Sequence, residues 1–419
     1  MSRKMKDSGI QWIGEIPEEW TVAKYKYYCK SGMGETILSE VLVDNGIPVY
    51  SATLEDKIFG FVSKSKINLL KDDFVIPARG NSIGYVTIVK DKLATCTQTT
   101  IYSKIVGINK KFLYYCCYGL KEHWFEFDNT AIPQITVNQI QNNIVPTPNK
   151  IEQQKIADFL DEKTQQIENI IKKQNEILEN LKTYKQSLIT ETVTKGLNPN
   201  VKMKDSKVEW IGEIPDTWKI KKIKYLGTCQ NGISKSAEEF GSGYPFVSYG
   251  DVYKNISLPK NVVGLVNSSE NDRKNYSVQE GDVFFTRTSE TIEEIGFTSV
   301  CLKTIENATF AGFIIRFRPE KNILNKNYSK YYFRSQKHRV FFVKEMNLVT
   351  RASLSQELLK RLPILLPPLE EQQQIATFLD KKCKAIDDSI TKKQELIEKL
   401  EIYKKSLIYE CVTGKRKVK

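Results

Sequence analysis

A long internal repeat constrains this chain more than any other feature of its sequence. Met5–Trp20 and Met203–Trp218 are identical at 11 of 16 positions. Glu152–Lys195 and Glu371–Gly414 align without gaps and are identical at 23 of 44 positions. The blocks that these segments enclose barely align, and the second block is 21 residues longer. Because drift alone would not preserve the flanks and erase the blocks, the pattern indicates one duplicated scaffold that carries two different surfaces.

The excess positive charge lies mainly in the two divergent blocks. Of the formal net charge of +13, residues 21–150 carry +4 and residues 219–368 carry +9, whereas the repeated segments 151–193 and 369–412 carry −2 and −1. Apolar residues make up 40% of the chain and charged residues 27%, which is typical of globular proteins. Basic blocks of this kind are expected where a protein meets a polyanion such as DNA.

Several classes of function are disfavoured by what the sequence lacks. The eight cysteines show no Cys-x-x-Cys spacing, and only His123 and His338 accompany them, so we expect no zinc site. Scattered thiols fit a reducing environment, so the expected location is cytoplasmic. No apolar run approaches 18 residues and no signal-peptide core is present, so we expect neither a membrane span nor secretion. Motifs of a phosphate-binding loop, an amino-methyltransferase or a nuclease are missing, and we expect no catalytic site, metal or directly bound cofactor.

Both copies of the longer repeat carry the apolar pattern of a coiled-coil helix. From Ile156 and from Ile375, mostly apolar residues recur at alternating steps of four and three, and prolines just upstream mark the helix starts. We expect two helices of ~40 residues that pair antiparallel, with Gln174 and Lys393 close together because they hold equivalent places in the repeat. The predicted seam comprises Ile167, Gln174, Ile177, Leu181, Tyr184 and Leu188, and, in the second copy, Ile386, Lys393, Leu396, Leu400, Tyr403 and Leu407.

The divergent blocks have the strand and helix signals of compact α/β units. The expected fold is α/β (α+β), with two globular domains joined by two long helices that form an antiparallel coiled coil in a pseudo-two-fold repeat. Strand-like runs occur at 74–77, 84–89, 99–102, 282–286 and 312–317, and short helices are expected over 111–122 and 328–339. The corresponding domain limits are 1–150, 151–196, 197–368 and 369–414, followed by a basic tail, 415–419.

Polar side chains suited to reading base edges recur at matching places in the two blocks. A turn that begins at Arg79 matches one that begins at Arg287. Thr97–Thr100 is paired with Thr309–Gly312, and 133–138 is paired with 350–355. Such residues pair with bases and phosphates, but they are also ordinary turn formers and helix caps. The candidates are Arg79, Asn81, Ser82, Gln98, Thr99, Gln134, Thr136 and Asn138 in the first block, and Arg287, Thr288, Ser289, Arg351, Ser353 and Ser355 in the second.

The whole pattern resembles the specificity subunits of Type I restriction–modification systems. The resemblance rests on Trp12–Pro17 and Trp210–Pro215, which read Trp-Ile-Gly-Glu-Ile-Pro, and on the Glu-Gln-Gln-x-Ile-Ala-x-Phe-Leu-Asp runs at 152–161 and 371–380. It implies that each globular domain reads one half of a split, asymmetric site in double-stranded DNA. It further implies that the coiled coil spaces the halves and docks two modification subunits, and that restriction subunits join them.

The resemblance also implies where the chemistry resides. S-adenosylmethionine, ATP and Mg²⁺ would belong to the partner subunits, which methylate adenine, translocate DNA and cleave it. One departure concerns the two arginine turns: the first contains Gly80 and Gly84, whereas the second, Arg287-Thr-Ser-Glu, has no glycine. The resemblance therefore supports a DNA contact more strongly for Arg79 than for Arg287.

Three alternatives remain open at this point. The chain could be a stand-alone nuclease or methyltransferase of unfamiliar type, which the missing motifs disfavour. It could be a protein scaffold that does not bind DNA, which the segregation of charge disfavours. It could also be the specificity component of a modification-only or Type IIB-like assembly, and the sequence does not distinguish this alternative from a Type I specificity subunit. The DNA target itself depends on the geometry of divergent loops and is not predicted.

Overall fold

The structure is a computed structural model that describes residues 3–53, 57–80, 82–124, 134–289, 295–345 and 352–418. The chain divides into two compact units, residues 1–175 with 394–419 and residues 176–393. Each unit contains one divergent block and a part of both long helices. In this division the long helices are shared between the units, and the domain limits expected from the sequence stay a prediction.

The first unit contains the strands of the first block and two short helices. Its elements are β1 (Met5–Asp7), β2 (Glu15–Pro17), β3 (Thr21–Lys24), β4 (Cys29–Met33), β5 (Ile47–Tyr50), β6 (Ile58–Val62), β7 (Phe74–Pro77), β8 (Thr87–Ile88), β9 (Thr95–Cys96), β10 (Thr100–Ile105), α1 (Lys110–Trp124), α2 (Val137–Asn142), β11 (Ile144–Thr147) and the beginning of α3 (Lys150–Lys195).

The second unit repeats this order with additional short helices. Its elements are β12 (Met203–Asp205), β13 (Glu213–Pro215), β14 (Lys219–Lys222), β15 (Gly227–Asn231), β16 (Phe240–Val247), α4 (Tyr249–Lys254), β17 (Leu265–Val266), α5 (Glu270–Asn275), β18 (Val283–Thr286), β19 (Thr288–Ser289), β20 (Thr298–Val300), β21 (Thr309–Phe310), β22 (Ile314–Pro319), α6 (Lys326–Tyr332), α7 (Gln336–Glu345), β23 (Ala352–Ser353), α8 (Gln356–Arg361), β24 (Pro363–Leu366) and the beginning of α9 (Leu369–Val412).

The same sheets occur in both units among the described residues. A four-stranded antiparallel sheet has the order β4-β10-β7-β8 in the first unit and β15-β22-β18-β20 in the second. A three-stranded sheet, β6-β5-β9 or β17-β16-β21, contains one parallel pair. The central strands β7 and β18 are mostly apolar and are buried along their whole length, as expected for a strand covered on both faces. The mixed α/β fold with two repeated units, expected from the sequence, is confirmed.

The helix expected over 111–122 is present as α1, whereas the helix expected over 328–339 is divided. In the second unit, α6 ends at Tyr332 and α7 begins at Gln336. Between them Arg334 donates to the carbonyl oxygens of Thr298 at 2.6 Å and Tyr253 at 2.8 Å. These bonds fix the break against the neighbouring backbone, and the apolar spacing of the segment does not reveal it.

The repeated motifs serve as anchors between each block and the long helices. The buried indoles of Trp20 and Trp218 donate to Glu152 and Glu371, each at 2.9 Å. One residue later, the buried amides of Gln153 and Gln372 bond the carbonyl oxygens of Pro148 and Pro367. The hydroxyls of Tyr115 and Tyr331 donate to Asp161 and Asp380 at 2.8 and 2.7 Å. The repeated residues therefore build the scaffold, which explains why both copies keep them.

Within each unit the two long helices run antiparallel. In the first unit Lys404 pairs with Glu168, while Gly414, just after α9, lies against Trp20 and thus near the start of α3. In the second unit Lys185 pairs with Asp387 at 2.7 Å, while Gly196, just after α3, lies against Glu371 at the start of α9. Gly196 and Gly414 have positive φ, +78° and +74° respectively, and helices commonly end at a glycine of this conformation.

The buried stripe of each long helix follows only part of the predicted seam. Ile177 and Tyr184 on α3, and their equivalents Leu396 and Tyr403 on α9, are exposed, whereas the next residue in each case is less exposed. In neighbouring apolar pairs such as Ile177–Leu178, one residue fits a step of three and the other fits a step of four. Spacing alone therefore does not decide which residue of the pair is buried. Of the other predicted seam residues, the buried ones are Ile167, Ile386 and Leu407, and the half-buried ones are Gln174, Leu181, Leu188, Lys393 and Leu400.

Candidate nucleic-acid interface

Three separate segments of the first block meet at one polar surface. The backbone N–H of Ala78 donates to the Thr99 carbonyl at 2.9 Å, and the N–H of Ile135 donates to the Ala78 carbonyl at 2.9 Å. Arg79 and Gln134 then face each other in an isolated antiparallel bridge. Candidate residues from three distant segments of the sequence are therefore neighbours here, as a shared binding surface requires.

The second block gathers its segments through the same backbone bonds. The N–H of Arg287 donates to the Phe313 carbonyl at 3.0 Å, and the N–H of Leu354 donates to the Arg287 carbonyl at 2.7 Å. Thr288 pairs with Ser353 in the short ladder of β19 and β23. The two surfaces thus share one backbone plan and differ in their side chains.

This shared plan changes the match between the two blocks. Ala78 corresponds to Arg287, and Arg79 corresponds to Thr288, because their backbone partners are equivalent. The expected match of Arg79 with Arg287 is therefore displaced by one residue. Ala78 and Arg287 also lie at the same distance from the preceding aspartates, Asp73 and Asp282, whereas Arg79 lies one residue further, so the arginine side chains are a misleading guide to register. The segment equivalent to Thr97–Thr100 is 311–314, two residues beyond the start of the expected match, since both close the same turn.

The candidates differ in how far their side chains reach solvent. Within the described residues, the guanidinium groups of Arg79 and Arg287 form no hydrogen bond or ion pair and are available to a ligand. Ser82, within the turn that follows Arg79, is buried. The exposed candidates are Arg79, Gln98, Gln134, Thr136, Asn138, Ser353 and Ser355, and the half-buried ones are Thr99, Arg287 and Thr288. Asn81, Arg351 and the side chain of Ser289 lie outside what the structure describes.

Three of the candidates also have a structural role. Thr136 caps α2 in a reciprocal arrangement with Gln139, at 3.2 Å and 2.7 Å. Ser355 caps α8 by accepting from the N–H of Leu358 at 3.0 Å. Asn138 accepts from the side chain of Asn142 at 2.9 Å. A cap of this type stabilises a helix by about 1 kcal/mol, so the presence of Thr136 and Ser355 needs no ligand to explain it.

Side chains that the sequence did not single out also belong to these surfaces. Thr36 donates to Gln98 at 2.7 Å, and Ser51 bonds Thr97 at 3.1 Å. In the second unit Tyr249 donates to the Thr288 carbonyl at 2.8 Å. Phe313 is 64% exposed beside Arg287. A serine or threonine in a loop carries no distinguishing signal, and the apolar run that contains Phe313 predicts a core strand.

The cysteines offer no nucleophile to this surface. All eight are free thiols, and most are buried. Burial raises the pKa of Cys29 to about 12 and that of Cys96 and Cys229 to about 11. These thiols stay protonated at neutral pH, and a protonated thiol is a poor nucleophile. In the part of the chain that the structure describes, no cluster of His, Cys, Asp and Glu side chains is placed to hold a metal ion, and no helix is long and apolar enough to cross a bilayer.

Comparison with known families identifies the scaffold. A family model, the Type I restriction modification DNA specificity domain, matches residues 17–179 and again residues 215–399. The chain belongs to this family. The resemblance expected from the tryptophan motifs and the repeated helices is thereby confirmed. The two matches fall on the two copies of the repeat, so each unit contains most of one match.

Full-length relatives support the assignment. The Type I restriction enzyme MjaVIII specificity subunit of Methanocaldococcus jannaschii is 25% identical, over 96% of this chain and 94% of that protein. The putative type I restriction enzyme MjaX specificity subunit of the same organism is 27% identical, over 97% of this chain and 96% of that protein.

Two solved structures share the fold of this specificity-domain protein. A chain from a study of complex assembly and conformational transition of the type I R-M system has a TM-score of 0.75 at 14% identity, covering 96% of this chain and 99% of that one. The HsdS subunit from Thermoanaerobacter tengcongensis has a TM-score of 0.55 at 14% identity, covering 96% and 98%. At this identity the comparison speaks for the fold alone.

Proposed function

We propose that the chain is the DNA-reading subunit of a Type I restriction–modification complex, in which each unit reads one half of a split, asymmetric site. One observation carries the proposal. The same backbone bonds gather three segments at one surface in both units, yet the side chains displayed there differ. Equal scaffolds with unlike side chains suit two unlike half-sites on one DNA molecule.

The charges and side chains at these surfaces support DNA as the ligand. Arg79 and Arg287 each bring a cation without a protein partner among the described residues. Gln98 and Gln134 in one unit, and Thr288 and Ser353 in the other, supply donors and acceptors of the kind that pair with base edges. The blocks that carry these surfaces also hold the excess positive charge, +4 and +9, which favours contact with phosphates.

The proposal assigns the chemistry to partner proteins. Two modification subunits would bind S-adenosylmethionine and methylate adenine, and restriction subunits would use ATP and Mg²⁺ to translocate and cleave DNA. The chain would hold no cofactor of its own and would act in the cytoplasm. Its full-length relatives carry the name specificity subunit, which supports this division of labour.

Methylome sequencing tests the function directly. The chain is expressed with its modification subunit in cells, with Arg79→Ala and Gln134→Ala combined in one variant and Thr288→Ala and Ser353→Ala combined in a matched variant. Removing one hydrogen-bonded pair between a side chain and a base should reduce discrimination by about 1–3 kcal/mol. We expect the first variant to relax one half of the methylated site and the second variant to relax the other half.

Two results would contradict the proposal. Relaxation of both halves by either variant would show that the two units do not read separately. Methylation or cleavage of DNA by the purified chain without partner proteins would show that the chain is itself an enzyme.

A further inference from the structure

Phe313 is an exposed aromatic residue whose backbone bonds Arg287 at the polar surface of the second unit. Its side chain is 64% exposed, although the next residue, Ile314, is fully buried. It belongs to none of the apolar clusters in the described residues of the second unit. An exposed phenylalanine here adds nothing to the core, and its ring is open to contact with a ligand.

The backbone of Phe313 is held firmly from both sides. Its carbonyl accepts from the N–H of Arg287 at 3.0 Å, and the N–H of Ile314 closes a turn onto the Ala311 carbonyl at 3.0 Å. Gly312 sits so close to Ser234 that a Cβ would lie 2.7 Å from the hydroxyl oxygen. The backbone that carries the ring is therefore fixed, which favours a specific contact.

The neighbouring side chains define what Phe313 would meet. Arg287, Thr288 and Ser353 are hydrogen-bonding groups, and they suit the donors and acceptors of base edges in the major groove. The apolar group that DNA presents among those donors and acceptors is the 5-methyl group of thymine. The exposed ring of Phe313, whose backbone bonds Arg287, brings an apolar group to the same surface as these hydrogen-bonding residues.

The first unit has different chemistry at the same place. There Thr99 holds the position of Phe313, since its carbonyl accepts from the N–H of Ala78. The Thr99 hydroxyl bonds that of Thr97 at 2.8 Å, and the side chain is half-buried. The contrast indicates that this position distinguishes the two half-sites.

We propose that Phe313 contacts the 5-methyl group of a thymine in the half-site that the second unit reads. The inference rests on the proposed DNA-reading function and names one base that this unit selects. The contact requires an A·T pair at a defined place in that half-site, with the thymine methyl group directed toward the ring.

Substitution of uracil for thymine tests the contact, because it removes only the methyl group. The complex of the full chain with its modification subunit is titrated with duplexes of the methylated site. In each duplex one thymine of the second half-site is replaced by uracil. We expect one position to lose about fourfold in affinity, the factor that corresponds to the ~0.8 kcal/mol of one buried methyl group. The Phe313→Ser variant should bind the thymine and uracil duplexes equally, whereas Phe313→Leu should retain part of the difference.

A matched variant in the other unit provides the control. Thr99→Ala alters the equivalent position of the first unit and should leave the effect of uracil in the second half-site unchanged. Equal binding of every uracil duplex by the unsubstituted chain would overturn the inference, and so would discrimination that survives Phe313→Ser. In both cases site-specific binding would persist and the proposed function would stand. Failure of the unsubstituted complex to bind the intact site more tightly than unrelated DNA would instead refute the proposed function.

Discussion

Trp20 and Trp218 hold equivalent positions, but the glutamates that they bond have different sets of hydrogen-bond donors. Each indole is fully buried and donates to the glutamate at the start of a long helix. In the first unit Arg3 also bonds Glu152, with its guanidinium 2.7 Å from one carboxylate oxygen. In the second unit Trp218 is the only donor to the Glu371 side chain among the described residues. The same substitution should therefore have unequal consequences in the two copies.

We predict that Trp218→Phe lowers the free energy of unfolding more than Trp20→Phe does. Both changes remove the same volume, but only Trp218→Phe leaves a half-buried carboxylate without a donor. A hydrogen bond to a charged group contributes about 1.5–3 kcal/mol, so the difference should be on the order of 1 kcal/mol after partial solvation. Thermal and denaturant unfolding of the two variants measure it. Adding Arg3→Ala to Trp20→Phe should abolish the difference, and equal unfolding free energies for the two single variants would contradict this account.

At this scale the sequence predicts residue types better than it predicts register. It identifies the polar segments around Arg79, Gln98 and Gln134 as candidates, and the structure brings those segments together. It does not predict that Thr288 replaces Arg79 in the second unit, because the equivalence is visible only in backbone hydrogen bonds. Phe313 escapes notice for a related reason: an apolar residue in a strand pattern indicates burial, and only the fold shows it exposed.

The long helices carry a second apolar stripe beside the buried one. Ile177 and Tyr184 on α3, and Leu396 and Tyr403 on α9, lie seven residues apart and are exposed. Helix positions seven residues apart share a face, so each pair forms an apolar patch on the surface of its unit. The sequence predicted both helices and their heptad spacing but assigned these residues to the internal seam. Adjacent apolar residues made two registers equally consistent with the pattern, and burial distinguishes them.

We predict that this stripe contributes to docking of the modification subunits. Replacing Ile177 and Tyr184 together by serine should weaken binding of the modification subunit by at least about tenfold, since each apolar side chain buried on binding contributes roughly 1.5 kcal/mol or more. The thermal stability of the chain should change little, because the two side chains are exposed. Isothermal titration or mass photometry with the purified subunit measures the effect.

A matched pair on the same helix controls for loss of helix propensity. Glu179 and Lys182 are exposed and pair at 2.8 Å, and both can be replaced by serine without loss of apolar surface. That variant should bind as the unsubstituted chain does. Undiminished binding by the Ile177 and Tyr184 variant would show that the stripe is not part of the docking surface.

At the scale of the whole molecule, α3 and α9 both pass from one unit into the other. The boundaries fall between Asn175 and Glu176 on α3 and between Lys393 and Gln394 on α9. If these helices set the distance between the two reading surfaces, their length sets the unread spacer between the half-sites. The C-terminal end of α3 does not suit a change of length, because Thr192, Val193 and Thr194 are buried in the second unit. The boundaries between the units on α3 and α9 are more suitable places for an insertion.

We predict that one added heptad in both helices at these boundaries lengthens the spacer. Seven residues add ~10.5 Å of helix, and DNA rises ~3.4 Å per base pair, so the spacer should grow by up to about three base pairs. A whole heptad keeps the apolar stripes in phase, so the half-site sequences should not change. Methylome sequencing with the partner subunit measures the spacer. A heptad of the same composition inserted after residue 418, beyond both units' helices, is the control, and unchanged spacing in the lengthened protein would show that the helices do not set it.

The glycines that end the two long helices give the backbone an unusual connectivity. Gly196 leads to Met203 through a short link and lies against Trp218, and Gly414 lies against Trp20 in the same way. A short link from residue 414 back to residue 5 would therefore repeat the link that already joins the two halves. In topological terms, such a link would close residues 5–414 into a ring with two equivalent joints. We expect a gene that encodes the two halves in the exchanged order to break this ring at the other joint and to leave the fold of each half unchanged.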